Sequence, residues 1–269
     1  ELDSAHNFAS YSRSTSQSTS AATVLTYGLD TNDEEDTGFS RSGPVVTVSN
    51  AGRYLVTYSL DIDQGSATGR EDVISYLTES GAEIRGTRGF CYLRGADGCQ
   101  DGALTWIGIL DLAGGSVIDL RAQCPTSATI NITDGDLQFW QLPSGAETVI
   151  KEATTGAYNT AGNFAWDTTP HIDTAEFTDT DSQTITLDNG GAYLAFATMS
   201  QFAPDTVQRA VPLLRMQGDG ALSEVMIGDG YHRASGGTGY LAINAGGAFF
   251  AEAGNTLRTN IAVTAAAGT

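Results

Sequence analysis

The residues of this chain that could perform acid–base chemistry are few and far apart in the sequence. The three histidines are His6, His171 and His232. None belongs to a metalloprotease, catalytic-triad or nucleophile-elbow pattern, in which the catalytic residue types occur at characteristic spacings. We therefore expect ordinary loop or edge histidines, and we predict no catalytic residue and no enzyme activity.

The three cysteines, Cys91, Cys99 and Cys124, all lie in the first half of the chain. Cys91 and Cys99 flank a glycine-containing segment that could turn and bring two strands side by side, which would allow a disulfide. Three buried thiols in a core are the alternative. Zinc sites use close cysteine pairs or nearby histidines, and this spacing shows neither.

Two acidic segments offer the oxygen ligands that calcium prefers. The segment Asp30–Asp36 holds five acids and an asparagine, and Asp134 and Asp136 flank a glycine. Calcium takes six to eight oxygens, and neither segment has the regular alternation that ends in a distant glutamate. We interpret both as solvated charged loops, and we predict no metal and no other cofactor.

The tryptophans Trp106, Trp140 and Trp166 are the side chains that a glycan-binding site would use. Trp106 and Trp140 lie in apolar, strand-like segments, where packing is the commoner role of tryptophan. Trp166 matches Leu29 in the repeat described below. We therefore expect all three in cores.

The charge balance excludes several partner classes. Thirty-two acids face thirteen bases, giving a formal charge of −19, and Lys151 is the only lysine. Binding to nucleic acid and to anionic membranes depends on clustered Lys and Arg, so we predict neither. The longest apolar runs, such as Ala245–Ala251, are far shorter than the roughly 18–20 residues that span a bilayer.

A long internal repeat organises the chain. Val46–Val56 and Ile185–Ala195 are identical at five of eleven positions, with an offset of 139 residues. We expect Tyr54 and Tyr193, within these blocks, to be equivalent. Further downstream, residues 109–119 resemble residues 242–252. A period of this size is a domain length, so the repeat predicts duplication of a domain rather than a solenoid.

Each copy has the pattern of β-strands. Val46, Val48, Tyr54, Val56 and Tyr58 follow the period of two that is typical of half-buried strands. We expect turns at Ala113–Gly115 and, in the second copy, at Gly246–Gly247. No long stripe of period 3.6 is present. The chain is therefore predicted to be all-β, of the sandwich or jelly-roll kind.

The repeat divides the chain into four parts. We expect a flexible Ser/Thr-rich arm at 1–20, a first domain at 21–146, a linker at 147–162 and a second domain at 163–269. The arm is rich in small polar residues and is expected to become ordered only on a partner. The linker is expected to be able to add an edge strand to the second copy.

The block Asn-x-Gly-x-Tyr-Leu, at Asn50–Leu55 and Asn189–Leu194, resembles the central signature of the tumour-necrosis-factor and complement-globular-head superfamily. The resemblance covers about 110 residues of each copy, and only this block is specific. It implies two tandem jelly-roll domains of ten strands each, which form trimers through aromatic and aliphatic faces. The chain departs from the animal ligands in having two fused heads and no collagen-like stalk, which favours microbial and bacteriophage members.

These observations lead to two functional hypotheses. The first is a structural protein on the outer surface of a virus particle, a bacteriophage capsid decoration or fibre protein. It would be a homotrimer that contacts the major capsid protein or another virion protein. The alternative is an adhesive module of a phage tail or bacterial surface that binds host surface glycans. We expect the protein on the virion or otherwise outside the cell.

Overall fold

The chain forms two compact units, Glu1–Ser144 and Gly145–Thr269, in a computed structural model. The boundary lies two residues before the one expected at 146. The structure describes residues 7–19, 24–63, 70–94, 101–124, 129–152, 162–163, 165–203, 209–218, 226–229, 232–233 and 239–265. Among these residues, no helix is long and apolar enough to cross a membrane.

The first unit consists of β-strands. In chain order they are β1 (Phe8–Arg13), β2 (Gln17–Thr19), β3 (Leu25–Thr26), β4 (Thr31–Glu35), β5 (Phe39–Ser42), β6 (Val45–Val48), β7 (Gly52–Asp63), β8 (Arg70–Glu79), β9 (Ala82–Glu83), β10 (Gly89–Arg94), β11 (Asp101–Leu112), β12 (Ser116–Gln123) and β13 (Ile130–Gln141).

Ten of these strands form two five-stranded paths, one in each sheet. One sheet has the order β11-β7-β13-β1-β4, with β2 added to β13. The other has the order β10-β8-β12-β6-β5, with β3 added to β12 and β9 to β8. Every pairing is antiparallel. The chain repeatedly crosses from one sheet to the other, for example from β6 to β7 and from β12 to β13. This is a jelly roll, so the expected fold class is confirmed.

The core of the first unit lies between the two sheets. Along β7, every second side chain is buried, and Tyr54, Val56, Tyr58 and Leu60 are at most 1% exposed. The predicted alternation of buried and outward side chains is therefore confirmed, since successive side chains of a strand point to opposite faces. The intervening residues of β7 form part of the outer face of its sheet.

The described part of the second unit is also built of antiparallel β-strands. Its strands are β14 (Val149–Glu152), β15 (Gly162–Asn163), β16 (Thr168–Ile172), β17 (Phe177–Asp179), β18 (Thr184–Leu187), β19 (Gly191–Ala203), β20 (Arg209–Gly218), β21 (Met226–Asp229), β22 (His232–Arg233), β23 (Gly239–Ala251) and β24 (Thr256–Ala265). One sheet has the order β17-β18-β24-β20-β21, with β15 added to β24 and β22 to β20. Two further pairs are β14-β16 and β19-β23.

The duplication is confirmed at the level of single hydrogen bonds. Tyr54 is the third residue of β7, and its hydroxyl donates to the carbonyl oxygen of Asn50 at 2.8 Å. Tyr193 is the third residue of β19, and its hydroxyl donates to the carbonyl oxygen of Asn189 at 2.6 Å. The two tyrosines are thus equivalent, as expected. Each also meets a phenylalanine edge to face, at 5.7 Å in the first unit and 6.1 Å in the second.

The expected arm at 1–20 is wrong for the part of it that the structure describes. Phe8–Arg13 forms β1, an inner strand that pairs with β13 on one side and β4 on the other. Ala9 and Tyr11 are fully buried. The serines of β1 alternate with these buried residues and lie on its outward face, where polar side chains are tolerated. The Ser-rich composition therefore did not indicate a strand. Within the expected linker at 147–162, the edge strand is present as β14, which pairs with β16.

The turn expected at Gly246–Gly247 is also wrong. Both glycines lie inside β23, paired with Phe196 and Ala195 of β19. The turn that corresponds to Ala113–Gly115 includes Gly254 instead. The backbone N–H of Gly115 donates to Val48 and that of Gly254 donates to Leu187, both at 2.7 Å. Gly115 and Gly254 have positive φ angles, +90° and +82°. Glycine adopts such angles at no steric cost, because it has no Cβ atom.

Candidate functional site

The histidines His171 and His232 lie on different strands of the second unit. His171 lies on β16, with its Nε2 atom 3.3 Å from Oδ2 of Asp173. Asp173 also accepts the backbone N–H of Thr148 at 2.6 Å, which ties the start of β14 to the end of β16. Asp36 does the same for Phe8 in the first unit, so Asp173 has a structural role. His232 lies in β22, and His6 lies outside the described residues.

The acidic segment Asp30–Asp36 is spread along the edge strand β4 rather than closed around an ion. Glu35 accepts the Tyr11 hydroxyl at 2.9 Å, and Asp33 accepts the Ser12 hydroxyl at 2.9 Å. Asp36 accepts the backbone N–H of Phe8 at 2.8 Å. Across the described part of the chain, no three His, Cys, Asp or Glu side chains are grouped as they would be to hold a metal.

Asp134 and Asp136 lie at one end of the outer face of the sheet that contains β13. Oδ1 of Asp134 accepts the backbone N–H of Gly135 at 2.7 Å. Burial raises the pKa of Asp136, and the nearby carboxylates of Asp134, Asp33 and Asp61 raise it further. This end of the face is therefore strongly acidic and resists any additional negative charge.

Of the two cysteines that the structure describes, Cys124 is buried and Cys91 is half-buried. Burial raises the pKa of Cys91 to about 12, with smaller contributions from Asp72 and Cys124. The thiol of Cys124 lies 3.6 Å from Oε2 of Glu71, a carboxyl whose pKa is itself raised by burial. A thiol held protonated is a poor nucleophile, so these residues favour packing over chemistry. Cys99 lies outside the described residues, and so does the expected disulfide between Cys91 and Cys99.

The three tryptophans have different environments. Trp106 is 4% exposed, donates from Nε1 to the carbonyl of Gly86 at 2.7 Å and stacks on Tyr58 at 6.1 Å. It is a core residue, as expected. Trp166 is only half-buried. Trp140 is not in the core either: it lies half-buried on the outer face of β13, with its ring 5.1 Å from that of Phe8.

An apolar row crosses four neighbouring strands on this outer face. The register pairs Phe8 of β1 with Trp140 of β13, Trp140 with Leu55 of β7, and Leu55 with Ile109 of β11. All four side chains are half-buried in the isolated chain. We call these four residues the apolar row. Sequence reasoning placed Phe8 in an arm and Trp140 in a core, so it missed the row.

The outer face changes from apolar to acidic along the strands. Two residues beyond the apolar row, the register aligns Ser10, Gln138, Thr57 and Ile107. Two residues further, it aligns Ser12, Asp136, Ser59 and Thr105. A partner on this face would meet the apolar row and, four residues along the strands, the carboxylate of Asp136. The arrangement suits protein–protein contact, because apolar groups gain free energy on burial while charged groups remain hydrated at the margin.

The comparisons with known proteins support no finer identification. No family model matches the chain, and no curated protein matches it. Among solved structures, the chain is similar to murine APRIL at pH 8.5, with 16% identity and a TM-score of 0.38. That match covers 51% of this chain and 99% of that one. The globular domain of zebrafish complement 1qA protein is similar with 9% identity and a TM-score of 0.36, covering 51% of this chain and 97% of that one.

Proposed function

We propose that this chain is a structural surface protein of a virus particle, a bacteriophage capsid decoration or fibre protein, which assembles as a homotrimer. The observation that carries the assembly is the apolar row on the first unit. Phe8, Trp140, Leu55 and Ile109 form a continuous strip across four strands on the outer face of the sheet. Closed symmetry buries such a strip without open-ended association.

The virion assignment is supported by the kind of surface the chain presents. A formal charge of −19 keeps particles apart and opposes contact with nucleic acid. His171 lies beside Asp173, and Cys124 lies beside the carboxyl of Glu71. A decoration or fibre protein requires a stable, acidic jelly roll with an assembly face, and this combination fits that role.

Light scattering after gel filtration tests the assembly. A trimer of three 28.1 kDa chains has a mass of about 84 kDa. Leu55→Asp places a charge in the centre of the apolar row, and we expect it to yield monomers. Tyr92→Asp, on the exposed face of β10 in the other sheet, is the matched control and should leave the trimer intact. A wild-type monomer at micromolar concentration, even in high salt, would refute the trimer.

Binding to a shell tests the virion assignment. We expect the wild-type chain to co-sediment with phage capsids in a fixed ratio of trimers to the major capsid protein or another virion protein. Capsids stripped of their native surface proteins should bind more of the chain than intact ones. Failure to co-sediment with any capsid, together with an intact trimer, would remove the virion assignment and leave the assembly standing.

A carbohydrate-binding adhesive module is the second candidate, and the Phe8–Trp140 pair favours it. Half-exposed aromatic rings at 5.1 Å are the kind of surface on which sugar rings stack. Glycan arrays distinguish the candidates: this function predicts retention that Trp140→Ala abolishes. In the trimer the pair would instead be covered, and no glycan retention is expected.

A further inference from the structure

The start of β1 and the start of β14 are anchored by equivalent aspartates. In the first unit, Oδ2 of Asp36 accepts the backbone N–H of Phe8 at 2.8 Å, and the backbone N–H of Asp36 donates to the carbonyl of Phe8 at 3.1 Å. In the second unit, Asp173 forms the same two hydrogen bonds with Thr148, at 2.6 and 3.0 Å. The residues just before Phe8 and Thr148 are therefore also equivalent.

A second pair of equivalent positions lies in the turns that follow these aspartates. The carbonyl of Gly38 accepts the backbone N–H of Ser49, and the carbonyl of Glu176 accepts that of Asp188, both at 2.8 Å. Each of the two accepting residues is followed by a buried phenylalanine. Glu176 thus stands in the second unit where Gly38 stands in the first.

The two units place different chemistry at this contact. In the first unit the contact is uncharged: a Cβ atom on Gly38 would lie 2.6 Å from Cγ of Asn7. In the second unit the same contact joins Glu176 and Glu147, whose carboxyls form a hydrogen bond. The nearby carboxylate of Asp173 acts on Glu147 as well. We call Glu147 and Glu176 the carboxyl pair.

A hydrogen bond between two carboxyls needs a proton on one of them, and the surroundings decide which one. Glu176 accepts the hydroxyl of Tyr193 and, at 2.7 Å, Nδ2 of Asn189. These two hydrogen bonds lower the pKa of Glu176. The hydrogen bond to Glu176 raises the pKa of Glu147, and the charges of Glu176 and Asp173 raise it further. Glu147 therefore holds the proton and Glu176 holds the charge.

We propose that the carboxyl pair is a pH-dependent contact that holds the start of β14 in mild acid and loosens it when Glu147 loses its proton. The pair links three elements, because Glu147 precedes β14, Glu176 precedes β17 and Tyr193 lies on β19. Loss of the proton replaces a donor and an acceptor with two carboxylates, which repel each other. The proposal concerns only the second unit and does not depend on the trimer or on the virion.

The two glutamates limit the contact from opposite sides of the pH scale. The raised pKa of Glu147 gives stability that is present at low pH and is lost as pH rises through the folded pKa. The lowered pKa of Glu176 gives stability that is present at higher pH and is lost as pH falls through the folded pKa. The contact is therefore strongest between these two pKa values.

Other titratable groups face the carboxyl pair among the described residues. The negative charges of Asp173 and Asp188 act on Glu147 and on the Tyr193 hydroxyl, respectively. Nε2 of His171 lies 3.3 Å from Oδ2 of Asp173, so a protonated His171 would attract the carboxylate that anchors β14. Substitutions of Glu147 separate this effect from that of the carboxyl pair, because they leave His171 and Asp173 in place.

Hydrogen exchange of the full chain tests the proposal. Val149 and Ile150 of β14 pair with β16, so the protection of β14 amides reports how firmly this strand is held. The rates are corrected for intrinsic exchange at each pH and expressed relative to β20 and β24, which pair with each other in the same unit. We expect the relative protection of β14 to fall at least about threefold between about pH 5 and about pH 8.

Three variants make the test specific. Glu147→Gln keeps a donor beside Glu176 at every pH, since its side-chain amide does not titrate. We expect this variant to lose most of the pH dependence and to retain the protection that the wild type has in mild acid. The double variant Glu147→Asn with Glu176→Gly carries the residues of the first unit and should also lose most of the pH dependence. Glu252→Gln, an exposed acid in the turn before β24, is the matched control and should behave as the wild type does.

Carbon NMR of the side-chain carboxyls gives an independent readout, in which Glu147 should titrate at higher pH than Glu176. Three results would overturn the proposal. The first is a relative protection of β14 that stays constant over this pH range in the wild type. The second is the full wild-type pH dependence in Glu147→Gln, which would assign the effect to His171 and Asp173. The third is a Glu147 carboxyl that titrates at or below the pH at which Glu176 does.

Discussion

Equivalent residues of the two units differ most in what surrounds them. Tyr54 and Tyr193 make the same hydrogen bond to the asparagine four residues earlier, but Tyr193 also donates to Glu176. Burial raises the pKa of Tyr193, and the hydrogen bond to Glu176 adds to this. The same hydrogen bond lowers the pKa of Glu176. The hydrogen bond from the tyrosine to the asparagine therefore follows from the local sequence block. The pKa of the tyrosine depends on the residues that the tertiary structure brings near it.

The hydroxyl of Tyr58 is a buried polar group of the first core. It donates to the carbonyl of Thr87 at 2.8 Å and pairs with Oγ of Ser75 at 2.9 Å. We expect Tyr58→Phe to lower the unfolding free energy of the first unit by about 1–3 kcal/mol, because both partners lose a hydrogen bond in a dry site. Tyr92→Phe, on the surface, should change it by less than about 0.5 kcal/mol. Equal effects in urea unfolding would contradict the burial of Tyr58.

The raised pKa of Asp136 gives a pH-dependent prediction. A carboxyl whose folded pKa exceeds its unfolded value favours folding at low pH, and that contribution is lost as pH rises through the folded pKa. Asp136→Asn should therefore stabilise the first unit at pH 7 and make no difference below about pH 3, where the acid is protonated in both states. The half-exposed side chain limits the gain to about 1 kcal/mol or less.

Thermal unfolding from pH 3 to pH 8 checks this prediction. Asp111→Asn, an exposed acid of the same sheet, is the control for removing one charge from an acidic protein. The prediction fails if Asp136→Asn and Asp111→Asn give the same curves, or if Asp136→Asn destabilises the protein at pH 7.

At the scale of elements, β1 shows how a strand can escape detection in sequence. It contains two serines, and only Ala9 and Tyr11 are fully buried. Its place in the sheet comes from pairing with β13, more than 120 residues away. A two-residue apolar pattern in a Ser-rich segment does not by itself distinguish an inner strand from a flexible arm.

Substitution of Tyr11 separates these two interpretations. Tyr11 is fully buried, so Tyr11→Ala should lower the unfolding free energy of the first unit by about 3–5 kcal/mol through lost packing. Ser14→Ala, just past the end of β1 and exposed, should be neutral. Chemical denaturation measures the unfolding free energy of both variants. If residues 1–20 were an arm, both substitutions would be neutral.

At the scale of the whole molecule, the chain consists of two units. The first has two five-stranded paths and a core that extends along the whole of β7. In the second, Tyr193 and Ala195 of β19 are half-buried, whereas the equivalent Tyr54 and Val56 of β7 are fully buried. Stability follows the apolar area that folding removes from water, so the two units should not be equally stable.

We therefore expect calorimetry to show two unfolding transitions, with the second unit unfolding at the lower temperature. Tyr58→Phe should shift only the upper transition. A single cooperative transition that Tyr58→Phe shifts as a whole would contradict this order.

The sequence by itself determined what depends on neighbours along the chain. The alternation at Val46, Val48 and Tyr54–Tyr58 identified strands, and the repeated Asn-x-Gly-x-Tyr-Leu block identified two equivalent copies, because both signals are local. Strand pairing between Phe8 and Trp140 joins residues that no local pattern relates. Only the tertiary structure therefore decided that β1 is an inner strand and that an apolar row crosses four strands. Pairing, unlike periodicity, is a property of distant segments brought together.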